Sequence, residues 1–160
     1  MNIVTAIIGI AMLSLFALPF ILTGNSRRKM EKKMLGLLQL NAAEQGHSIG
    51  EHDLDARFGI ALSQNQQVVY FIDGHNGSPI IQHFALHDLR QCKMNVVKNT
   101  VGDGKNKEWV IAKIELILTG KTPQTKEQRY GLYDVNNLVQ LDNEIQLATK
   151  WETQLNSLIP

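Results

Sequence analysis

Four hydrophobic patterns follow one another along the chain. Residues 3–22 form an unbroken apolar run without a charged side chain. Residues 26–45 then place Met30, Met34, Leu37, Leu38 and Ala42 at helical spacing, with Gly46 as a stop signal. From Ser48 the period drops to two. Phe58, Ile60 and Leu62 alternate with Arg57, Gly59 and Ser63; Val68–Ile72 reads as a buried strand; Ile80, Gln82, Phe84 and Leu86 alternate with Ile81, His83 and Ala85. Cys92, Met94 and Val96 follow, then Val110 to Leu118, then Tyr130 and Leu132, with a weak first strand near residues 49–54. Finally Leu141, Ile145, Ala148, Trp151, Leu155 and Leu158 recur on one helical face from about Asn137 to Leu158.

The turns between the strand candidates are mostly of hairpin length, such as Gln64–Gln66 and the dense Asp73–Pro79 signal. About seven short strands joined this way predict an antiparallel meander rather than βαβ units. Such a meander cannot leave its edges and its apolar face open. The predicted fold is therefore mainly β, of the α+β kind: a curled sheet or partly open barrel capped by the C-terminal helix, with Trp151 as the plug. The predicted organisation is an anchor over residues 1–24, a basic juxtamembrane helix or linker over 25–46, and a β-domain with its helix over 47–160. The helix over 26–45 has two readings, an interfacial or partner-binding element and a connector that packs on the domain behind it; the connector is preferred.

Length and charge turn the first pattern into an anchor. Twenty helical residues at ~1.5 Å each reach ~30 Å, the thickness of a bilayer's hydrocarbon core. A cleaved signal peptide would need a basic start, a shorter apolar stretch and a small-residue cleavage site, and the run offers none of them. Residues 25–45 carry a net charge of +3 and residues 46–160 a net of −2, so the positive surplus sits directly after the span. That asymmetry predicts a single-pass membrane protein with its N-terminus outside and its C-terminal domain cytoplasmic. Arg27, Arg28, Lys29, Lys32 and Lys33 are the candidate contacts to an anionic lipid surface. The lone Cys92 suits a reducing compartment. No basic stripe with interleaved aromatics appears, which argues against nucleic acid as a partner.

The order of a seven-strand meander ending in an amphipathic helix over residues 48–159 resembles the pleckstrin-homology-like superfold, including its GRAM-type and bacterial members. Local features that carry the resemblance are Phe84-Ala85-Leu86-His87-Asp88-Leu89 at a strand end, Cys92 beyond it, and the helix around Lys150-Trp151. The layout is also similar to small bacterial membrane proteins with one N-terminal span before such a domain. The resemblance would imply phosphoinositide headgroups held by basic residues of the first strands, but that region offers only Arg57 amid Gln64, Asn65, Gln66 and Gln67, so no headgroup site is carried over.

Candidate chemistry adds little. His83 and His87, with Asp88 beside them, have metal-ligand spacing for a helix, yet strand residues four apart lie ~13 Å from each other. His47, His52 and His75 are scattered. Cys92 near His87 suggests a nucleophile, but its alternation with Met94 and Val96 points it into the core. Val101-Gly102-Asp103-Gly104-Lys105 lacks P-loop spacing and joins two strands. Lys98, Lys105, Lys107 and Lys113 form a basic rim interrupted by Asp103, Glu108 and Glu115, and a solvated loop is the preferred reading. No catalytic, metal or cofactor residue is assigned. The expected activity is that of a non-catalytic interaction module with the bilayer and a protein as partners; an anionic-lipid binding module is the alternative, and an enzyme with an unfamiliar site is the weaker one.

Overall fold

A computed structural model describes Met12 and residues 27–55, 57–74, 78–101, 107–122, 127–137 and 141–160. Its strands are β1 (Ile49–Leu54), β2 (Phe58–Ser63), β3 (Val68–Asp73), β4 (Ile80–Ala85), β5 (Leu89–Val101), β6 (Glu108–Gly120) and β7 (Gln128–Asp134). They pair antiparallel in chain order, but as two sheets, β1-β2-β3-β4 and β5-β6-β7, neither of them closed. The predicted single curled sheet is therefore divided. The division falls at a 3-10 turn, Leu86–Asp88, which ends β4 and sends the chain into the second sheet. Leu86 and Leu89 are buried on either side of this turn, so the crossover itself becomes core.

β2 and β3 show why alternation alone misreads this chain. All six residues of β2 are buried, and so are the first five of β3. One face, with Phe58, Ile60, Leu62, Val69 and Phe71, joins the main core against the second sheet and the C-terminal helix. The other face, with Ala61, Val68, Tyr70 and Ile72, is covered by a helix, α1, which runs through residues 27–44. Met34, Leu38 and Ala42 of α1 are buried there, and Leu37 packs beside them. The connector reading of this segment is thus the one its packing supports, although Met30 stays exposed. α1 stops where Gly46 adopts φ +76°. The His47 N–H reaches the Ala42 carbonyl (2.8 Å) and the Gly46 N–H the Ala43 carbonyl (3.0 Å), the Schellman pattern that favours glycine at this position.

The C-terminal helix, α2 (Glu144–Leu158), begins later than its apolar period suggests. Asp134 ends β7 in an Asx turn, its carboxylate accepting from the Asn136 N–H at 2.9 Å, and Leu141 packs on the core before the helix starts. α2 buries Ala148, Trp151 and Leu155 and lies between two sheet edges. On the β1 side, the Trp151 indole N–H donates to Asp53 (2.9 Å), Lys150 pairs with Asp53 (2.6 Å) and Glu51 (3.0 Å), and Gln154 donates to Glu51 (2.6 Å). On the β5 side, Asn156 accepts from the Cys92 N–H (2.8 Å) and donates to the Cys92 carbonyl (2.7 Å), while Glu152 accepts from the Met94 N–H (3.0 Å). On β5, helix side chains thereby satisfy backbone edge groups that would otherwise recruit another strand, whereas on β1 they meet side chains only.

The opposite gap, between β4 and β7, is joined by rings. Tyr130 stacks on Phe71 with centroids 3.9 Å apart, Phe84 meets both edge-on, and the Tyr130 hydroxyl donates to Gln82. Among the described residues no helix is long and apolar enough to cross a membrane. The span predicted over residues 3–22 lies outside the described residues, Met12 excepted.

Candidate functional site

α1 is divided lengthwise by chemistry. At ~100° per residue, Arg28, Lys29, Lys32 and Lys33 lie roughly 120–260° around the helix from Met34, on the side turned away from the sheet. All four are exposed, and none has an ion pair among the described residues. Arg27 is different. It lies over the packed stripe, where its guanidinium joins Asp55 at 2.8 Å and Glu31 at 3.1 Å. Of the five basic residues assigned to a lipid surface, four share an outward face and Arg27 ties the start of the described helix to the β1–β2 turn.

A second surface lies at the ring-joined seam. A cleft of about 160 Å³ opens between β2–β4 and β7, lined by Phe58, Phe71, Ile80, Gln82, Arg129 and Tyr130 among others. Ligand pockets for small molecules span roughly 300–1,000 Å³, so this volume suits one or two side chains better than a cofactor. Burial raises the Tyr130 hydroxyl well above its ordinary range, which keeps it a neutral hydrogen-bond donor. The outer edges of β4 and β7, which pair with no other strand among the described residues, border the cleft, and Ile80 is half exposed beside it.

The remaining candidates do not converge. His83 sits on β4 within hydrogen-bond reach of Gln45 (3.1 Å) and against the Tyr70 ring, while His87 lies in the 3-10 turn beside Asp88. Among the described residues no group of three or more His, Cys, Asp or Glu side chains could hold a metal ion. Cys92 is buried in the main core. Burial, reinforced by the Glu152 carboxylate, pushes its thiol up to about 12, so it is protonated at neutral pH and a poor nucleophile. Arg57 stands 3.8 Å from Asp55, the carboxylate that also holds Arg27. Residues 102–106 lie outside the described residues, but the strands on both sides are β5 and β6, so the segment joins strands as expected.

Sequence reasoning missed the reach of the β5–β6 hairpin. β5 and β6 each span 13 residues, and their far ends, residues 97–101 and 108–110, are exposed on both faces. Trp109 there is 73% exposed. Strict alternation over residues 109–119 places Trp109 opposite the inward row of Val110 and Ala112. The sequence signal was its partners: Asn99 and Thr100, polar on both faces, pair with Val110 and Trp109. No family model matches the chain, and no curated protein or solved structure matches it.

Proposed function

We propose that the protein is a single-pass, membrane-anchored module of pleckstrin-homology-like fold whose cytoplasmic domain works by binding rather than by catalysis. The observation that carries this reading is the lengthwise division of α1. Its apolar side seals the first sheet, and its outward side carries Arg28, Lys29, Lys32 and Lys33 immediately after the 20-residue apolar run. A helix of that kind fixes a folded domain against an anionic surface, each nearby Lys or Arg contributing ~1 kcal/mol. The sequence of antiparallel strands in chain order followed by an amphipathic helix supports the fold assignment. The partner surface is the seam. α2 covers the outer edge of β5 and ties the side chains of β1, and the β4 and β7 edges border a small cleft of mixed polar and apolar lining that suits an added strand or an inserted side chain.

The test uses the full chain in cells. The protein should resist alkaline extraction from membranes, and a reporter active only outside the cytoplasm should be silent when fused after Pro160. Release by carbonate, or a strongly active reporter, overturns the anchored topology. Turnover of substrate by the purified protein in a broad hydrolase and transferase screen would overturn the non-catalytic reading. The lipid-binding alternative draws on the same four cations; it requires binding to persist when the apolar run is replaced by a polar one.

A further inference from the structure

The β5–β6 hairpin does not end where the core ends. Beyond Val97 on one strand and Ile111 on the other, the two strands continue, exposed, with no layer over either face among the described residues. Thr100 pairs with Trp109 and Lys98 with Ile111 on one face, and Asn99 with Val110 and Val101 with Glu108 on the other. Trp109 is 73% exposed, Val101 57% and Val110 38%, which makes this the densest exposure of large apolar groups among the described strands. Lys98 and Lys107 stand among them.

Contacts with α2 and α1 set the direction of this arm. β1 and β5 both run antiparallel to α2 and touch it at one height, where Asp53 meets Lys150 and Trp151, and Met94 meets Glu152 and Thr149. From that height, at ~3.3 Å per residue, Asp55 lies ~7 Å further along and Val101 ~23 Å further along. Arg27 is held at Asp55, whereas the other end of α1 meets the far end of the sheet, with Gln45 against Tyr70 and Ser48 against Gln64. The N-terminal segment therefore joins α1 at the end towards which the arm points. Only residues 23–26 separate the apolar run from Arg27, a reach of at most ~17 Å.

We propose that the β5–β6 arm is a second membrane contact, in which the face carrying Trp109 lies on the bilayer interface and Lys98 on the same face reaches the headgroups. Trp favours this zone because its ring is apolar and its N–H is polar, and lysines hold the rim by reaching outward. The anchor and the arm are separate supports on one end of the domain. Together they fix its tilt, which a single flexible tether cannot do, and they hold the seam at a set angle to the membrane. This inference rests on the anchored reading above.

The experiment uses the full chain reconstituted in vesicles of phosphatidylcholine and phosphatidylglycerol. The protein has two tryptophans, and Trp151 is fully buried, so added quenchers report on Trp109. Brominated acyl chains should quench a component of the emission, iodide in the water should not reach it, and Trp109→Phe should remove that component. Vesicle flotation after a carbonate wash is measured on the same samples. Protein that floats while Trp109 stays open to iodide and blind to bromine overturns the arm contact and leaves the anchor standing. Bromine quenching that survives Trp109→Phe overturns it as well. Protein that fails to float removes the anchored reading and the arm contact with it.

Discussion

At the scale of residues, this fold depends on a few polar side chains that act as backbone. Asn156 gives Cys92 both the acceptor and the donor that a neighbouring strand would have given it. Asn156→Ala leaves two β5 edge groups without partners in a place that α2 shields from water. The expected cost is about 1–3 kcal/mol, read as a lower denaturant midpoint with an unchanged slope. Glu115 makes a different case, since it is only 3% exposed on the outer face of β6. Burial alone would raise its carboxyl, but hydrogen bonds from Lys113 and Asn95 and the charges of Lys113 and Arg129 outweigh it and hold the group below its ordinary 4.5. A lowered folded value means that the stabilisation is present above 4.5 and is lost as pH falls through the folded value. Lys150 is raised from 10.5, chiefly by its hydrogen bond to Asp53, so its contribution is lost at the alkaline end. Burial also raises the Cys92 thiol from 9.0 to about 12, so its contribution is lost as pH rises above 9.0. Denaturation curves should therefore fall on the acid side below 4.5 and on the alkaline side above 9.0, and Glu115→Gln should flatten the acid fall. An unaltered acid limb in the variant would show that Glu115 contributes nothing to it.

At the scale of elements, strand and helix identity was legible because each element keeps one period for at least one buried face. Phe58, Ile60 and Leu62 mark β2, and Ala148, Trp151 and Leu155 mark α2, through their spacing alone. What could not be read was which elements have two buried faces. Gly59, Ala61 and Ser63 look like an outward row, and only the placement of α1 turns them inward. The same applies to the sheet division, which depends on the turn at Leu86–Asp88 and on no pattern in the strands themselves. The five basic residues proposed to face lipid were legible as charge, but Arg27 could be separated from its four neighbours only once Asp55 was seen beside it. α1 should accordingly behave as part of the domain. Leu38 is fully buried, and Leu38→Ala is expected to cost about 2–5 kcal/mol. Gly46→Ala forces a side chain into the left-handed region at φ +76°, at a cost of about 1 kcal/mol. Thermal unfolding should show both variants melting in one transition with the β-domain. A separate early transition confined to helix signal would mean that α1 docks loosely.

At the scale of the whole molecule, charge is unevenly placed. The positive surplus lies at the end where the N-terminal segment joins, while residues 46–160 are net negative; in the proposed anchored reading the domain thereby presents its favourable side to an anionic surface. Replacing Arg28, Lys29, Lys32 and Lys33 together by glutamine tests this at the level of the assembly. These side chains are exposed and unpaired among the described residues, so the folded domain should keep its stability to within a few tenths of a kcal/mol. Membrane behaviour should change instead. Four cations at ~1 kcal/mol each are lost from the anionic surface, and the flanking charge that orients the span is reduced to Arg27. A reporter fused after Pro160 should then reveal a population with the domain outside, and binding of vesicles should lose its dependence on salt. If orientation and salt dependence both stay as they were while the domain remains folded, the outward face of α1 has no part in holding the membrane. The arm and the apolar run would then have to supply the orientation without charge, which the positive-inside rule makes difficult.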